Sequence, residues 1–129
     1  MISYHRQDMD TLKHLEEHHR DFQMFHDVMV ETQINRFSEE YWNFFTTWIA
    51  PAMVHDARVI DLGTGPGGWL PMIKAKYPDV EMDLHAVELV PVMLETARST
   101  GEDIGATVHD LDLSSPEWSD SIEGTFEIG

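Results

Sequence analysis

The sequence predicts an α/β fold, a parallel sheet with flanking helices, preceded by a helical appendage. Three observations carry this. From Arg58 onward, short apolar runs alternate with helical segments in the rhythm strand, loop, helix. The first of those runs ends in "VIDLGTGPGG", where four glycines fall within six residues behind an aspartate. Before residue 56 the pattern is helical instead, with apolar and aromatic residues at helical spacing.

In the first segment, Leu12, Leu15, Phe22, Phe25 and Met29 recur at helical steps, and Asp8 or Asp10 is placed to cap the start. His14, His18, His19 and His26 lie on the polar faces. His14 and His18 stand at i and i+4 and could share a metal. No H-E-x-x-H motif accompanies them, so they read as a solvated helix face and no metal site is expected. Ser38 is a helix cap with Glu39 and Glu40 in the first turn. The helix it opens carries Tyr41, Trp42, Phe44, Phe45 and Trp48, and Pro51 ends it. Aromatics at this density line a pocket or form core; core is the expectation, because each buries a large apolar area. "APAMVHDA" links into the next unit. Residues 1–56 are thus a helical appendage, a possible lid, and residues 57–129 an α/β unit.

In that unit "RVIDL", "EMDLHAVEL", "ATVHDLDL" and "TFEI" read as four strands. "WLPMIKAKY" is a helix whose Pro71 falls in the first turn, and "PVMLETARST" is a helix with Pro91 at its start and Gly101 past its end. Strands joined in this way run parallel with right-handed crossovers, and ligands of such sheets sit at the carboxyl ends of the strands. The glycine loop lies at such an end.

Composition narrows the function classes. The chain has 129 residues and 42% apolar residues, a globular composition of single-domain size. Eight Lys and Arg face twenty-four Asp and Glu, a net charge of −16. Such a surface repels phosphate backbones and anionic lipids, so neither a nucleic acid nor a membrane is expected as partner. No apolar run approaches the ~20 residues of a membrane helix, and the first ten residues hold no signal-peptide core. Cysteine is absent, which excludes disulfides and thiolate metal sites and fits a cytoplasmic protein.

Glycine permits backbone angles that other residues avoid and lets a ligand approach the main chain. The helix that follows the loop offers N–H groups to an anion. Gly63, Gly65 and Gly68 satisfy G-x-G-x-x-G, and Glu88 follows Gly68 by twenty residues, where an acid takes ribose hydroxyls. By pattern alone this is a dinucleotide fingerprint. Asp61 separates two ligand classes. A pyrophosphate would be repelled by it, and the loop brings no Lys or Arg to compensate. A sulfonium and an ammonium group are attracted, by about 4 kcal/mol before desolvation at ~4 Å and an effective dielectric of ~20.

The motifs resemble those of class I S-adenosylmethionine-dependent methyltransferases. "VIDLGTGPGG" is similar to the first motif, with Asp61, Gly63, Gly65 and Gly67 at its acid and glycine positions and Thr64 between them. "HAVELVPVMLETAR" resembles the second, where Glu88 would bind both ribose hydroxyls beside Leu89, with Val90 and Pro91 at the hydrophobic and helix-start positions. "ATVHDLDL" resembles the third, where Asp110 would receive the adenine amino group and Leu111 would flank the ring. The resemblance implies a Rossmann-like methyltransferase fold, with S-adenosylmethionine as cofactor and methyl transfer as activity. It covers about residues 57 to 128 and identifies the cofactor, not the acceptor. The family's sheet has seven strands in the order 3-2-1-4-5-7-6; this sequence supplies three and part of a fourth, so the fold is expected to be incomplete at the C-terminus. Glu127 in "TFEIG" falls where the fourth strand often carries an acid. A small-molecule or protein acceptor is expected, with the aromatic helices as its lid. Catalysis would be largely positioning; no catalytic base is identified, and His26 and His109 read as structural. An open sheet edge suggests a homodimer. Two other readings stay open: an NAD-dependent oxidoreductase fragment, and a non-catalytic binding module.

Overall fold

A computed structural model describes residues 11–14 and 22–129 of the chain. The capping residues Asp8 and Asp10, the stripe residue Leu15, and His18 and His19 lie outside the described residues. Residues 11–14 are helical, and helix α1 spans Phe22–Arg36. Helix α2, Glu39–Phe44, starts where Ser38 predicts: its Oγ accepts the Tyr41 N–H at 3.2 Å, and Glu39 and Glu40 occupy the turn where the helix dipole favours acids. The helix then widens into a π-type turn, Phe45–Ile49, and tightens into a 3-10 turn, Ala50–Ala52, holding Pro51. Widening shifts the angular spacing of side chains, so the aromatics do not share one face. Phe45 is buried and Tyr41 and Trp42 are half-buried, whereas Phe44 and Trp48 are 58% and 72% exposed. The aromatic stretch is therefore core only in part.

The chain continues through β1 (Ala57–Leu62), α3 (Trp69–Lys76), β2 (Met82–Glu88), α4 (Pro91–Ile104) and β3 (Thr107–Asp110). The strands form one parallel sheet in the order β1-β2-β3. "TFEI" contributes a single parallel bridge, Ile128 opposite Val59, on the far side of β1. Ile60 N–H donates to the Ile128 carbonyl at 3.0 Å, and Arg58 N–H donates to the Glu127 carboxylate at 2.6 Å. Ile128 thus bridges at the place beside β1 where the resemblance implies a fourth strand, in the order 3-2-1-4, without forming a full strand. The architecture is a Rossmann-like parallel sheet with flanking helices.

Two boundaries differ from expectation. "ATVHDLDL" reads as strand to Leu113, but β3 ends at Asp110 and residues 111–113 leave the sheet. Gly101 does not end the second crossover helix; α4 runs on to Ile104 and is closed by Gly105 at φ +72°. Gly101 is buried inside the helix, and a Cβ there would stand 3.0 Å from Val108 Cγ2. Its missing side chain lets α4 lie close on β3, while Gly105 supplies the left-handed stop.

Side chains alternate across the sheet, and the strand register fixes which ones share a face. Val59, Leu84 and Ala86 pack with Leu70 and Ile73 of α3, and Phe45 and Ile128 join the same cluster. The appendage therefore shares the α/β unit's core. Leu70 and Ile73 are fully buried, each stabilising the fold by roughly 1.5–3 kcal/mol relative to exposure. The opposite face buries Ile60 and Val87 and also carries a polar chain. Arg58 Nε donates to Asp83 at 3.1 Å, Asp83 meets His85 Nε2 at 2.9 Å, and His85 Nδ1 meets His109 Nε2 at 2.9 Å. The Phe126 ring lies 4.3 Å below the Arg58 guanidinium and edge-on to His85. Burial first, then the neighbouring His85 and Arg58, lower the His109 pKa from its ordinary value. Among the described residues no helix is long and apolar enough to cross a membrane.

Candidate functional site

Asp61 pairs with Ala86 across β1 and β2, and Glu88 pairs with Asp110 across β2 and β3. With strict alternation, Asp61, Glu88 and Asp110 fall on one face at the carboxyl ends of three adjacent strands. Asp61 accepts the Thr64 hydroxyl at 2.7 Å. Burial pushes its carboxyl above the usual range; the Thr64 bond opposes this, and the nearby Glu88 charge adds to it. Glu88 is tied to backbone: Oε1 accepts Gly65 N–H at 2.8 Å, and Oε2 accepts Leu89 and Val90 N–H at 2.9 and 3.1 Å. An ionised carboxylate offers about four lone-pair sites, so Oε1 keeps room for one more donor.

The loop between β1 and α3 turns back on itself through three left-handed glycines, Gly63, Gly65 and Gly67, at φ +70°, +62° and +87°. That path turns most of its amides inward. Gly63 and Thr64 N–H both donate to the Val87 carbonyl at 3.0 Å, Gly65 N–H to Glu88, and Gly67 N–H to the Thr64 carbonyl at 3.2 Å. These four loop N–H groups are spent within the protein. The donors left are those of the first turn of α3, whose Gly68 cap brings no side-chain acceptor.

The glycines divide by what surrounds them. A Cβ on Gly67 would stand 3.0 Å from Ala97 Cα in α4, and one on Gly68 would collide with the buried Gln33 side chain of α1. Those two serve close packing. Gly63 has nothing within 4 Å of the position a Cβ would take.

A cavity lies on either side of Gly63. One, of about 170 Å³, is bounded by Gly63, Glu88, Leu89, Leu111, Asp112 and Thr11. Asp112, which sequence reasoning missed, is buried; it accepts the Thr11 hydroxyl at 2.6 Å and the Ser114 N–H and hydroxyl at 2.9 and 2.6 Å. The signal was an Asp followed two residues on by Ser, the mark of an Asx turn. The Thr11 bond ties the helical segment 11–14 to this cavity's wall. The other cavity, of about 330 Å³, has Asp61, Gly63 and Thr64 on one side and Tyr41, Phe45 and Trp69 on another. Trp69 Nε1 donates to the Tyr41 hydroxyl at 3.0 Å.

The structure thus gathers Asp61, Gly63, Thr64, Glu88, Leu89 and Leu111 around the two cavities, while Gly65 and Gly67 shape the loop between. Asp110 closes β3 beside Glu88 without lining either cavity. His26 bridges α1 to α4 through Thr96 at 2.6 Å, and His109 belongs to the opposite sheet face, so neither reaches the site.

No family model and no curated protein matches this chain. Among solved structures it is similar to the crystal structure of a "putative S-adenosyl-L-methionine-dependent methyltransferase" from Methanococcus maripaludis, at 20% identity and a TM-score of 0.38. The match covers 89% of this chain and 47% of the other, so this chain spans about half of that protein's length.

Proposed function

We propose that this chain carries the cofactor-binding half of an S-adenosylmethionine-dependent methyltransferase acting on a small-molecule or protein acceptor. The observation that carries the reading is Gly63: a residue with open space in place of a side chain, set between two cavities at the carboxyl ends of β1 and β2. A two-substrate transfer needs that arrangement, with a donor and an acceptor meeting at one point.

The residues present fit the cofactor. Asp61 is a desolvated carboxylate whose ordinary charge state is restored by a neighbouring cation. Glu88 has capacity for one ribose hydroxyl as it stands and for a second by releasing a backbone N–H. Leu89 and Leu111 give apolar walls to the smaller cavity. When bound, S-adenosylmethionine supplies a methyl group on a sulfonium, and its transfer breaks the S–CH₃ bond, forms a bond to the acceptor nucleophile and leaves a thioether. The chain's part is to hold the nucleoside end with Glu88, Leu89, Leu111 and Asp110, to balance the cationic end with Asp61, and to leave the methyl path open at Gly63. The aromatic residues Tyr41, Phe45 and Trp69 exclude water from the acceptor side. A dinucleotide is disfavoured by the same geometry: four loop amides are occupied, and Asp61 would face a pyrophosphate.

Hydrogen exchange with and without S-adenosylhomocysteine tests the proposal. Protection is expected at residues 61–70, 88–90 and 111–114. Protection confined to other segments, or none at saturating ligand, would overturn it.

A further inference from the structure

The larger cavity has a chemical character that the cofactor does not use. Its walls are aromatic, with Phe37, Tyr41, Phe45 and Trp69 among them. Two charged side chains line it, Asp61 beside the glycine loop and Arg36 in the last turn of α1. In a chain with three acids for every base, a carboxylate is the expected neighbour of an arginine. Arg58 has Asp83 at 3.1 Å, yet among the described residues Arg36 has no carboxylate within ion-pair distance. The Trp69 bond uses the acceptor side of the Tyr41 hydroxyl and leaves its proton to be donated. Both Arg36 and Tyr41 therefore offer donors to something negative or electron-rich.

From this we propose that the occupant of the larger cavity is a small aromatic anion, a ring system bearing a carboxylate or a group of like charge. The ring would lie among Phe37, Tyr41, Phe45 and Trp69, and the anion would pair with Arg36. Flat aromatic walls favour a planar body through offset and edge-on stacking. At about 330 Å³ the cavity is at the small end of ligand pockets, which suits one or two fused rings rather than a peptide. Asp61 orients the ligand by exclusion, since an anion placed beside it would be repelled. As the acceptor of a methyl group, this ligand class rests on the methyltransferase reading; as a binding preference it stands on the cavity alone.

The experiment compares indole-3-acetate with its neutral counterpart indole-3-acetamide by calorimetry, on the full chain, with and without saturating S-adenosylhomocysteine. The acetate is expected to bind roughly fivefold tighter than the amide, the size of a partly exposed ion pair. Arg36→Gln should erase that preference while leaving amide binding and S-adenosylhomocysteine binding within about twofold, and Arg36→Lys should retain part of it. Equal affinity for the two ligands in the unaltered chain, binding of neither, or a preference that survives Arg36→Gln would overturn the proposal. Failure of S-adenosylhomocysteine alone to bind would refute the cofactor reading and leave the acetate preference to be judged by the cofactor-free titration.

Discussion

Gly63 and Gly67 share a left-handed backbone but differ in surroundings, and that difference makes a quantitative prediction. Gly63→Ala places a Cβ in open space at φ +70°, so its stability cost is the left-handed strain alone, about 1–2 kcal/mol. Gly67→Ala carries the same strain at φ +87° and also sets a Cβ 3.0 Å from Ala97 Cα and 3.3 Å from Ala97 Cβ. Backbone cannot swing aside as a side-chain tip can, so overpacking adds about 1–3 kcal/mol. The sum is about 2–5 kcal/mol. For a domain of this size, each kcal/mol lowers Tm by roughly 3–5 °C. Thermal unfolding should place Gly67→Ala clearly below Gly63→Ala. Binding should reverse the order: a methyl on Gly63, which borders both cavities, should weaken S-adenosylhomocysteine by roughly 5- to 150-fold, the same steric cost expressed as affinity. Gly63→Ala with unchanged affinity, or the two variants equally destabilised, would refute the reasoning.

Three further outcomes follow from the acids and the sheet edge. Glu88→Ala should weaken S-adenosylhomocysteine by roughly 30- to 1000-fold and also lower Tm, because three backbone donors lose their acceptor; Glu88→Gln should recover most of the Tm. An unchanged dissociation constant in folded Glu88→Ala would make it a loop brace only. Asp61 has a folded pKa above its unfolded one, so its contribution to stability is present below the unfolded pKa and is lost as pH rises through the folded pKa. Asp61→Asn keeps an acceptor for Thr64 and should gain stability on the unaltered chain above that window in a pH series of melts, while losing about tenfold in S-adenosylmethionine affinity; parallel pH profiles for the two proteins would contradict this. Finally, β1 meets only the Ile128 bridge on its far side among the described residues, which leaves an edge that two copies can share. With a net charge of −16, such pairing should strengthen with salt in a light-scattering series, and a monomer mass at every salt concentration would exclude it.

Much of the α/β half was legible in sequence because its signals are local. An apolar run, a glycine loop and a proline-started helix each fix their own element, and parallel order then follows from chain connection. The site's long-range pairings were not legible. Asp112 meets Thr11 across 101 residues, a contact no spacing rule encodes. The Arg58, Asp83, His85 and His109 chain exists only because the strand register sets those side chains on one face. Gly101 read as a helix stop because glycine is the usual residue there; only the closeness of Val108 reveals that it is a packing glycine. That the loop amides turn inward follows from positive φ at alternate residues, which spacing does not show. The exposure of Trp48 goes with a π-type turn that residue spacing does not announce.

The central claim is that this glycine loop and its three acids hold a sulfonium-type nucleoside and not a dinucleotide. Isothermal calorimetry of the chain against S-adenosylhomocysteine and, separately, NAD tests it most directly. Saturable heat with the first and none with the second is the predicted result, since Asp61 and Glu88 welcome the ammonium and ribose groups, while Asp61 repels a pyrophosphate and the four occupied loop amides leave it only the first turn of α3. Saturable binding of NAD with none of S-adenosylhomocysteine would contradict the account.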